Sequence, residues 1–339
     1  MKSLREDYYN RFFSHIYVET TIKDHPRTQM ILSKYPTAEV VEISHYKDVF
    51  CRRKQSCTLQ HRSQSLILAA RQGTLIYEGA PVCQSFGNQY FYYTSCAMNC
   101  IYDCEYCYLK GMYPSGNIVI FVNLEDYFAQ VEQMLKQHPM YLCVSYDTDL
   151  LALEQITGYV QLWCDLAEKH ENLTIEIRTK CSGEILTGQL RPVLGVVYAL
   201  TLSPQAVIAS FEHHTPSLVK RLEFAAELLR MGCAVRLCFD PMIYLPGWEQ
   251  HYKEMFEQIQ DTVDLQKVVD VSVGTFRVSQ DYLKKMRKQE PDCAVVWFPF
   301  ENVSGYYQYP KKLMEEMECF MVCQLAQKIP EKKIFRWRE

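Results

Sequence analysis

From about residue 90 onward, short apolar runs alternate with amphipathic stretches of helical spacing. YFYYTS (90–95) is β-rich, and MYLCVSY (140–146) reads as a buried strand. ITGYVQLWCDLAEKH (156–170) predicts an amphipathic helix, and LTIEIRT (173–179) alternates apolar and polar residues at period two. LGVVYALTL (194–202) is a continuous apolar run, the pattern of a strand covered on both faces. SLVKRLEFAAELLRMG (217–232) has helical spacing and a terminal glycine stop. AVRLCFDPMIY (234–244) predicts a strand ended by proline, WEQHYKEMFEQI (248–259) a helix, and VVDVSVGTF (268–276) a strand. Such strand-then-helix repetition predicts an α/β fold of parallel strands with right-handed crossovers. Strand-end residues then gather at one mouth, where α/β barrels build their sites.

The flanks differ. Residues 1–88 have mixed patterning and are expected to form a smaller appended α/β layer before a barrel at 89–278. In 279–339, AVVWFPFENVSGYYQY (294–309) predicts two aromatic strands around a turn at Asn302 to Gly305. A helix at 311–327 and a basic aromatic tail, IFRWRE, follow.

At 339 residues, with 48% hydrophobic and 22% charged side chains, the chain has ordinary globular composition and length for a large core. MKSLREDYYNRFF lacks an apolar run behind its basic start, and no stretch approaches a membrane span, so a cytoplasmic protein without membrane attachment is expected. Fifteen cysteines in such a chain argue against a disulfide scaffold and for mostly buried thiols. Cys319 and Cys323, at i and i+4 on the last helix, are expected to pack in the core. Net charge is −4, with basic ends and an acidic middle, so the whole molecule is no general electrostatic binder of nucleic acid. KKMRKQE (284–290) reads as a solvated helix face.

One loop changes the picture. SCAMNCIYDCEYCYL places Cys96, Cys100, Cys104 and Cys107 within twelve residues, the last three as C-x3-C-x2-C with Tyr106 before the third. Three thiolates on one loop can hold three irons of a [4Fe–4S] cube and leave the fourth open to a small molecule. Zinc also takes clustered thiolates, and Cys96 could close the site as a fourth ligand. The adjacent His213 and His214 are poorly spaced for a second zinc knuckle. By itself the spacing supplies a three-thiolate metal loop.

The C-x3-C-x2-C spacing with its aromatic resembles the signature of the radical S-adenosylmethionine (radical SAM, AdoMet) enzymes. CIYDCEYCYLKGMYPSGNIVIFVNLEDYF, ASFEHHTPSLVKRLEFAAELLRMG and DPMIYLPGWEQHY are similar to the corresponding runs of the spore photoproduct lyase family. That resemblance implies a partial (β/α)6 TIM-like barrel of the radical SAM type, with an N-terminal α/β extension and a C-terminal β-hairpin plus helix. It implies a [4Fe–4S] cluster on Cys100, Cys104 and Cys107, and S-adenosyl-L-methionine as cofactor. A 5′-deoxyadenosyl radical would abstract hydrogen from a thymine lesion in DNA. A flavodoxin- or ferredoxin-type protein would supply the electron; the oligomeric state is left open. Tyr106 would pack beside the AdoMet adenine, and Thr148, Asp149, Lys180 and Thr201 match cofactor-contacting positions. Lys180 is suited to the AdoMet carboxylate as a point charge, and Thr148 and Asp149 also suit a helix N-cap.

Two departures stand out. The family's cysteine hydrogen-atom donor falls at Tyr146 here, with Tyr108 in the tyrosine relay. Cys143 is three residues earlier, and strand alternation turns it to the other face. The family's basic DNA-reading hairpin corresponds to FPFENVSGYYQYP, which has no Arg or Lys. Its Phe298, Phe300, Tyr306 and Tyr307 are candidates either for stacking on bases or for a packed hairpin face. The departures keep open a radical SAM paralogue acting on another nucleotide, RNA or peptide; a non-catalytic zinc protein is the remaining alternative.

Overall fold

The computed structural model describes residues 13–80, 83–183, 186 and 189–336. The chain start and Trp337 to Glu339 of the predicted tail lie outside these residues.

Six parallel strands follow one another in chain order across one sheet: Phe91–Thr94, Met140–Cys143, Leu173–Thr179, Val196–Thr201, Ala234–Met242 and Asp270–Thr275. Helices lie between the first and second of these strands (Leu124–Leu135), the second and third (Tyr159–Lys169), the fourth and fifth (Leu218–Met231) and the fifth and sixth (Trp248–Thr262); among the described residues none lies between the third and fourth. Ile76–Glu78 adds antiparallel at one edge and Ile334–Arg336 adds parallel at the other, so the sheet stays open as a partial barrel. The apolar run at 196–201 is buried at every position, as expected for a strand covered on both faces. The helix Leu218–Met231 starts at Ser217, whose hydroxyl accepts from the Lys220 N–H, and stops at Gly232, whose φ of +87° suits glycine.

A second sheet of five strands begins with the parallel strands His15–Glu19, Glu39–Ile43 and Leu66–Ala69. It is completed by Ile118–Phe121 and Ala97–Met98, so main-chain pairing crosses residue 88. The loop carrying Cys100, Cys104 and Cys107 therefore leaves one sheet at Met98 and returns to it at Ile118.

Several local expectations are corrected. The strand predicted over 140–146 ends at Cys143, because Ser145 turns to bridge Ser95 and its hydroxyl bonds the Arg178 backbone. Strand alternation therefore does not reach Tyr146. Leu173–Thr179 reads as alternating, yet Glu176 is buried within the barrel. The aromatic hairpin is Glu301–Val303 with Tyr306–Gln308, closed at Gly305 (φ +87°), and 294–298 is not a strand. Cys319 and Cys323 are exposed, since the helix Lys311–Ala326 buries Met317, Glu318, Met321 and Leu325 instead.

Candidate active site

The cysteine loop is anchored on three sides. Asp103 and Cys104 pair antiparallel with His213 and Glu212, just past the helix Gln205–Phe211. Lys110 is 4% exposed and holds Asp103 at 2.6 Å on one side and Glu290 on the other, tying the loop to the helix Gln280–Gln289. Asn99, in the left-handed region at φ +66°, donates to the carbonyls of Ser115 and Asn117 at 2.6 and 2.7 Å. These contacts fix the loop that carries Cys100, Cys104 and Cys107, and burial pushes all three thiols up, Cys104 to about 12. The Tyr102 N–H points at the Cys100 sulfur at 3.4 Å. Cys96 stands apart: it is fully buried and directed at the Val144 carbonyl. Among the described residues, no three His, Cys, Asp or Glu side chains gather closely enough to hold a single metal ion. A cube makes a different demand, because its protein thiolates bind separate irons.

Beside the loop, at the carboxyl ends of the strands, is a buried ion cluster centred on Glu212. It accepts from Lys180 at 3.0 Å, from Ser203 at 2.8 Å, and from Tyr106 and Arg221. Burial alone would raise the Glu212 carboxyl, but Arg221 and Lys180 outweigh it and hold the group well below the usual carboxylate range. Lys180 also reaches the Tyr106 hydroxyl at 2.9 Å and the Cys104 sulfur at 3.7 Å, and its ammonium lies 4.9 Å from the Tyr106 ring centre. Arg221 is completely buried and donates to the Thr201 carbonyl at 3.1 Å. Lys180, expected as a lone point charge, is thus already neutralised by a carboxylate, and Tyr106 faces this cation and Phe276.

Thr148 and Asp149 divide the two readings between them. Asp149 is engaged by protein donors: the N–H of Ala152 at 3.1 Å, the Thr179 hydroxyl at 2.7 Å and the Lys180 N–H at 2.7 Å. It behaves as a cap and a link between two strand ends. The Thr148 hydroxyl is a buried atom with no hydrogen-bond partner, the condition of a group awaiting a ligand. Thr201 ends its strand, buried.

On the barrel side, Tyr108 donates to the Tyr146 carbonyl and their rings are 6.2 Å apart. Tyr93 stacks on Tyr146 at 4.2 Å. Cys143 donates to the Glu176 carboxylate at 3.6 Å. Burial would raise Glu176 too, but Arg178 and Arg236 keep it ionised. Phe298 and Phe300 pack on Tyr309 at 4.7 and 5.3 Å, while Tyr306 is exposed.

This arrangement agrees with the comparisons. The spore photoproduct lyase family model matches residues 14–336. The chain belongs to the spore photoproduct lyase family. Members of that family are radical SAM lyases. The Clostridium acetobutylicum spore photoproduct lyase is 24% identical over 238 residues, which is 66% of this chain and 69% of that protein. The Bacillus subtilis enzyme is 20% identical over 282 residues, 81% of this chain and 80% of its own length. Among solved structures, a spore photoproduct lyase mutant with dinucleoside spore photoproduct superposes with a TM-score of 0.81 at 17% identity, covering 95% of this chain and 97% of that one. Another mutant, with bound AdoMet and the same dinucleoside, gives 0.80 at 18% identity over the same shares. These likenesses bear out the partial-barrel fold.

Sequence reasoning missed Glu212, although it lies in the FEHHTP run, because nothing local marks a glutamate whose partners come from residues 106, 180, 203 and 221. It also missed Cys83, whose thiol is 3.6 Å from the Tyr146 hydroxyl.

Proposed function

We propose that this chain repairs spore photoproduct in DNA by radical SAM chemistry, with Cys100, Cys104 and Cys107 as the ligands of a [4Fe–4S] cluster. The observation that carries the reading is the three-thiol loop at the carboxyl ends of six parallel strands, within a family match running from residue 14 to 336. The donor set suits the group: three thiols lie on one anchored loop at the spacing C-x3-C-x2-C, Cys100 and Cys107 line one cavity, and Cys96 is directed at the Val144 carbonyl. Bound there, the cluster would supply an open iron for AdoMet and the electron for its reductive cleavage to a 5′-deoxyadenosyl radical. The unpartnered Thr148 hydroxyl suits a polar AdoMet contact, and the Lys180–Glu212 pair orients Tyr106 beside the loop. A small redox protein of the flavodoxin or ferredoxin type would deliver the electron.

DNA would meet the surface beside the hairpin. The hairpin itself carries no Arg or Lys, but its neighbour Gln280–Gln289 exposes Lys284, Lys285 and Lys288. Trp297 is 54% exposed, with Arg287 over its ring. Cations and an aromatic face in one region suit a phosphate backbone and an unstacked base.

The test is anaerobic reconstitution with iron and sulfide, then incubation with AdoMet, dithionite and dinucleoside spore photoproduct. Thymine dinucleotide and 5′-deoxyadenosine should form. Alanine at Cys100, Cys104 or Cys107 should abolish both together with the iron–sulfur colour, and Cys96→Ala should keep them. 5′-Deoxyadenosine without loss of lesion would overturn the substrate; a colourless zinc protein would overturn the chemistry.

A further inference from the structure

The aromatic hairpin carries no cation, so a duplex backbone has to be gripped elsewhere. Lys284, Lys285 and Lys288 can neutralise about three phosphates, which gives a salt slope of only about −2.7. We infer that the turn and short helix over residues 51–62, in the N-terminal layer, extend this helix into one phosphate-binding track that holds the duplex DNA flanking the lesion; that the duplex carries a lesion rests on the proposed repair reading.

Four cations stand out from that segment. Arg52, Arg53, Lys54 and Arg62 are exposed, and none is in an ion pair among the described residues. The same is true of Lys284, Lys285 and Lys288. Elsewhere, exposed cations are matched to carboxylates: Lys253 to Glu257, Arg230 to Glu227 and Lys267 to Asp264. In a chain of net charge −4, cations kept clear of acids concentrate positive potential where they sit. The acids close by are taken up by the protein itself. The Asp48 carboxylate accepts from the His45 N–H at 3.0 Å, and Glu290 is neutralised by the buried Lys110. Asp281 lies in the first turn of its helix, where it complements the helix dipole.

The two segments meet end to end. The helix Gln280–Gln289 starts at the hairpin, where the Gln280 N–H donates to the Gly305 carbonyl at 3.0 Å and Asn302 donates to the Gln280 side chain at 3.2 Å. It ends at the N-terminal layer. There the Cys57 N–H donates to the Gln289 side-chain oxygen at 3.2 Å, and the Thr58 hydroxyl to the Gln289 carbonyl at 3.0 Å. Arg62 directly follows the short helix Cys57–His61, which Ser56 caps by accepting the Leu59 N–H at 3.3 Å. The turn that presents Arg53 and Lys54 is fixed from both sides. Arg52 Nε donates to the Asp48 carbonyl at 2.8 Å, and the Gln55 amide to the Arg52 carbonyl at 2.8 Å.

The track therefore runs outward from the hairpin. Its helix alone is about 15 Å long, and duplex phosphates recur every ~3.4 Å of axis on each strand. Two such segments in series outreach the two nucleotides of a lesion, so the outer one can touch only flanking duplex. Arg287, over the exposed Trp297 at 4.9 Å from its ring centre, belongs to the same helix.

The experiment is fluorescence anisotropy of full-length, reconstituted protein with an undamaged duplex of roughly 20 base pairs over a salt series. Wild type should give a slope of about −6, the value for seven neutralised phosphates. The triple variant Arg52→Gln, Arg53→Gln, Lys54→Gln should flatten it by about 2.7 and weaken binding about tenfold or more. Arg62→Gln, outside the turn, should flatten it by about 0.9. On a duplex of about six base pairs, too short to reach the turn, the triple penalty should shrink. Arg230→Gln with Lys253→Gln and Lys267→Gln removes the same charge from paired positions and should leave the slope unchanged. A wild-type slope in both the turn triple and Arg62→Gln would overturn the inference and leave the repair reading standing. A turn triple that binds duplex as wild type does, yet accepts electrons from a flavodoxin more slowly, would assign the segment to the reductant and overturn the DNA assignment. The expected flattening in a protein that consumes no lesion would uphold the track and overturn the repair reading alone.

Discussion

Replacing Glu212 with glutamine tests the electrostatic account of the cysteine loop. The change is close to isosteric, so it leaves little cavity, but Arg221 (0% exposed) and Lys180 lose their shared counter-charge. At 3.0 Å and an effective dielectric near ~20, the Lys180–Glu212 attraction alone is about 5 kcal/mol before desolvation is subtracted. Removing one partner of a buried pair strands the other charge, at a cost of roughly 3–5 kcal/mol. That is a large share of the roughly 5–15 kcal/mol that holds a typical domain folded. Urea unfolding followed by circular dichroism should show a loss of that size for Glu212→Gln. Glu168→Gln, which breaks an exposed pair with Arg191, should leave the midpoint unchanged. Adding Arg221→Met to Glu212→Gln should recover part of the loss, because it removes the stranded guanidinium. The same carboxyl sets a pH limit. Its folded pKa lies below its unfolded value, so its stabilisation is complete above the unfolded carboxylate pKa. That stabilisation drains away as pH falls from there toward the folded value. Wild type should therefore lose stability below about pH 4, and Glu212→Gln should show a shallower decline. A glutamine variant as stable as Glu168→Gln would refute the reasoning.

Two further outcomes follow from the packing and the surface. In Gly111→Ala the new Cβ would meet Tyr282 Cβ at 2.6 Å and its carbonyl oxygen at 2.7 Å, so backbone has to move; a cost of about 1–3 kcal/mol in urea and faster iron loss to a chelator are expected. Changing Lys284, Lys285 and Lys288 together to glutamine should weaken binding of duplex DNA and lower the salt slope by about 0.9 for each phosphate no longer neutralised, measured by fluorescence anisotropy over a salt series. An unchanged slope would remove that helix from the interface.

The six barrel strands were legible because each is a short apolar or β-branched run bounded by turn residues. The hairpin turn was legible for a local reason as well: Gly305 supplies the positive φ that closes it. The strand end at Cys143 was not, because the hydrogen bonds that stop it come from Ser95 and Arg178, far along the chain. The three-cysteine loop stood out by its spacing alone. The groups around it did not, since Glu212 and Cys83 reach their partners only through tertiary contacts, and neither sits in a local motif. Thr148 and Asp149 look equivalent as neighbours in sequence, yet one is saturated with donors and the other has none.

The late strand Ile334–Arg336 has a consequence for biosynthesis. It is the outer neighbour of Asp270–Thr275, whose residues are all buried. While a ribosome is still making the residues between them, that apolar edge stands open to any nascent chain nearby. Expression systems that stall or truncate before residue 334 should yield inclusion bodies rather than a shortened enzyme.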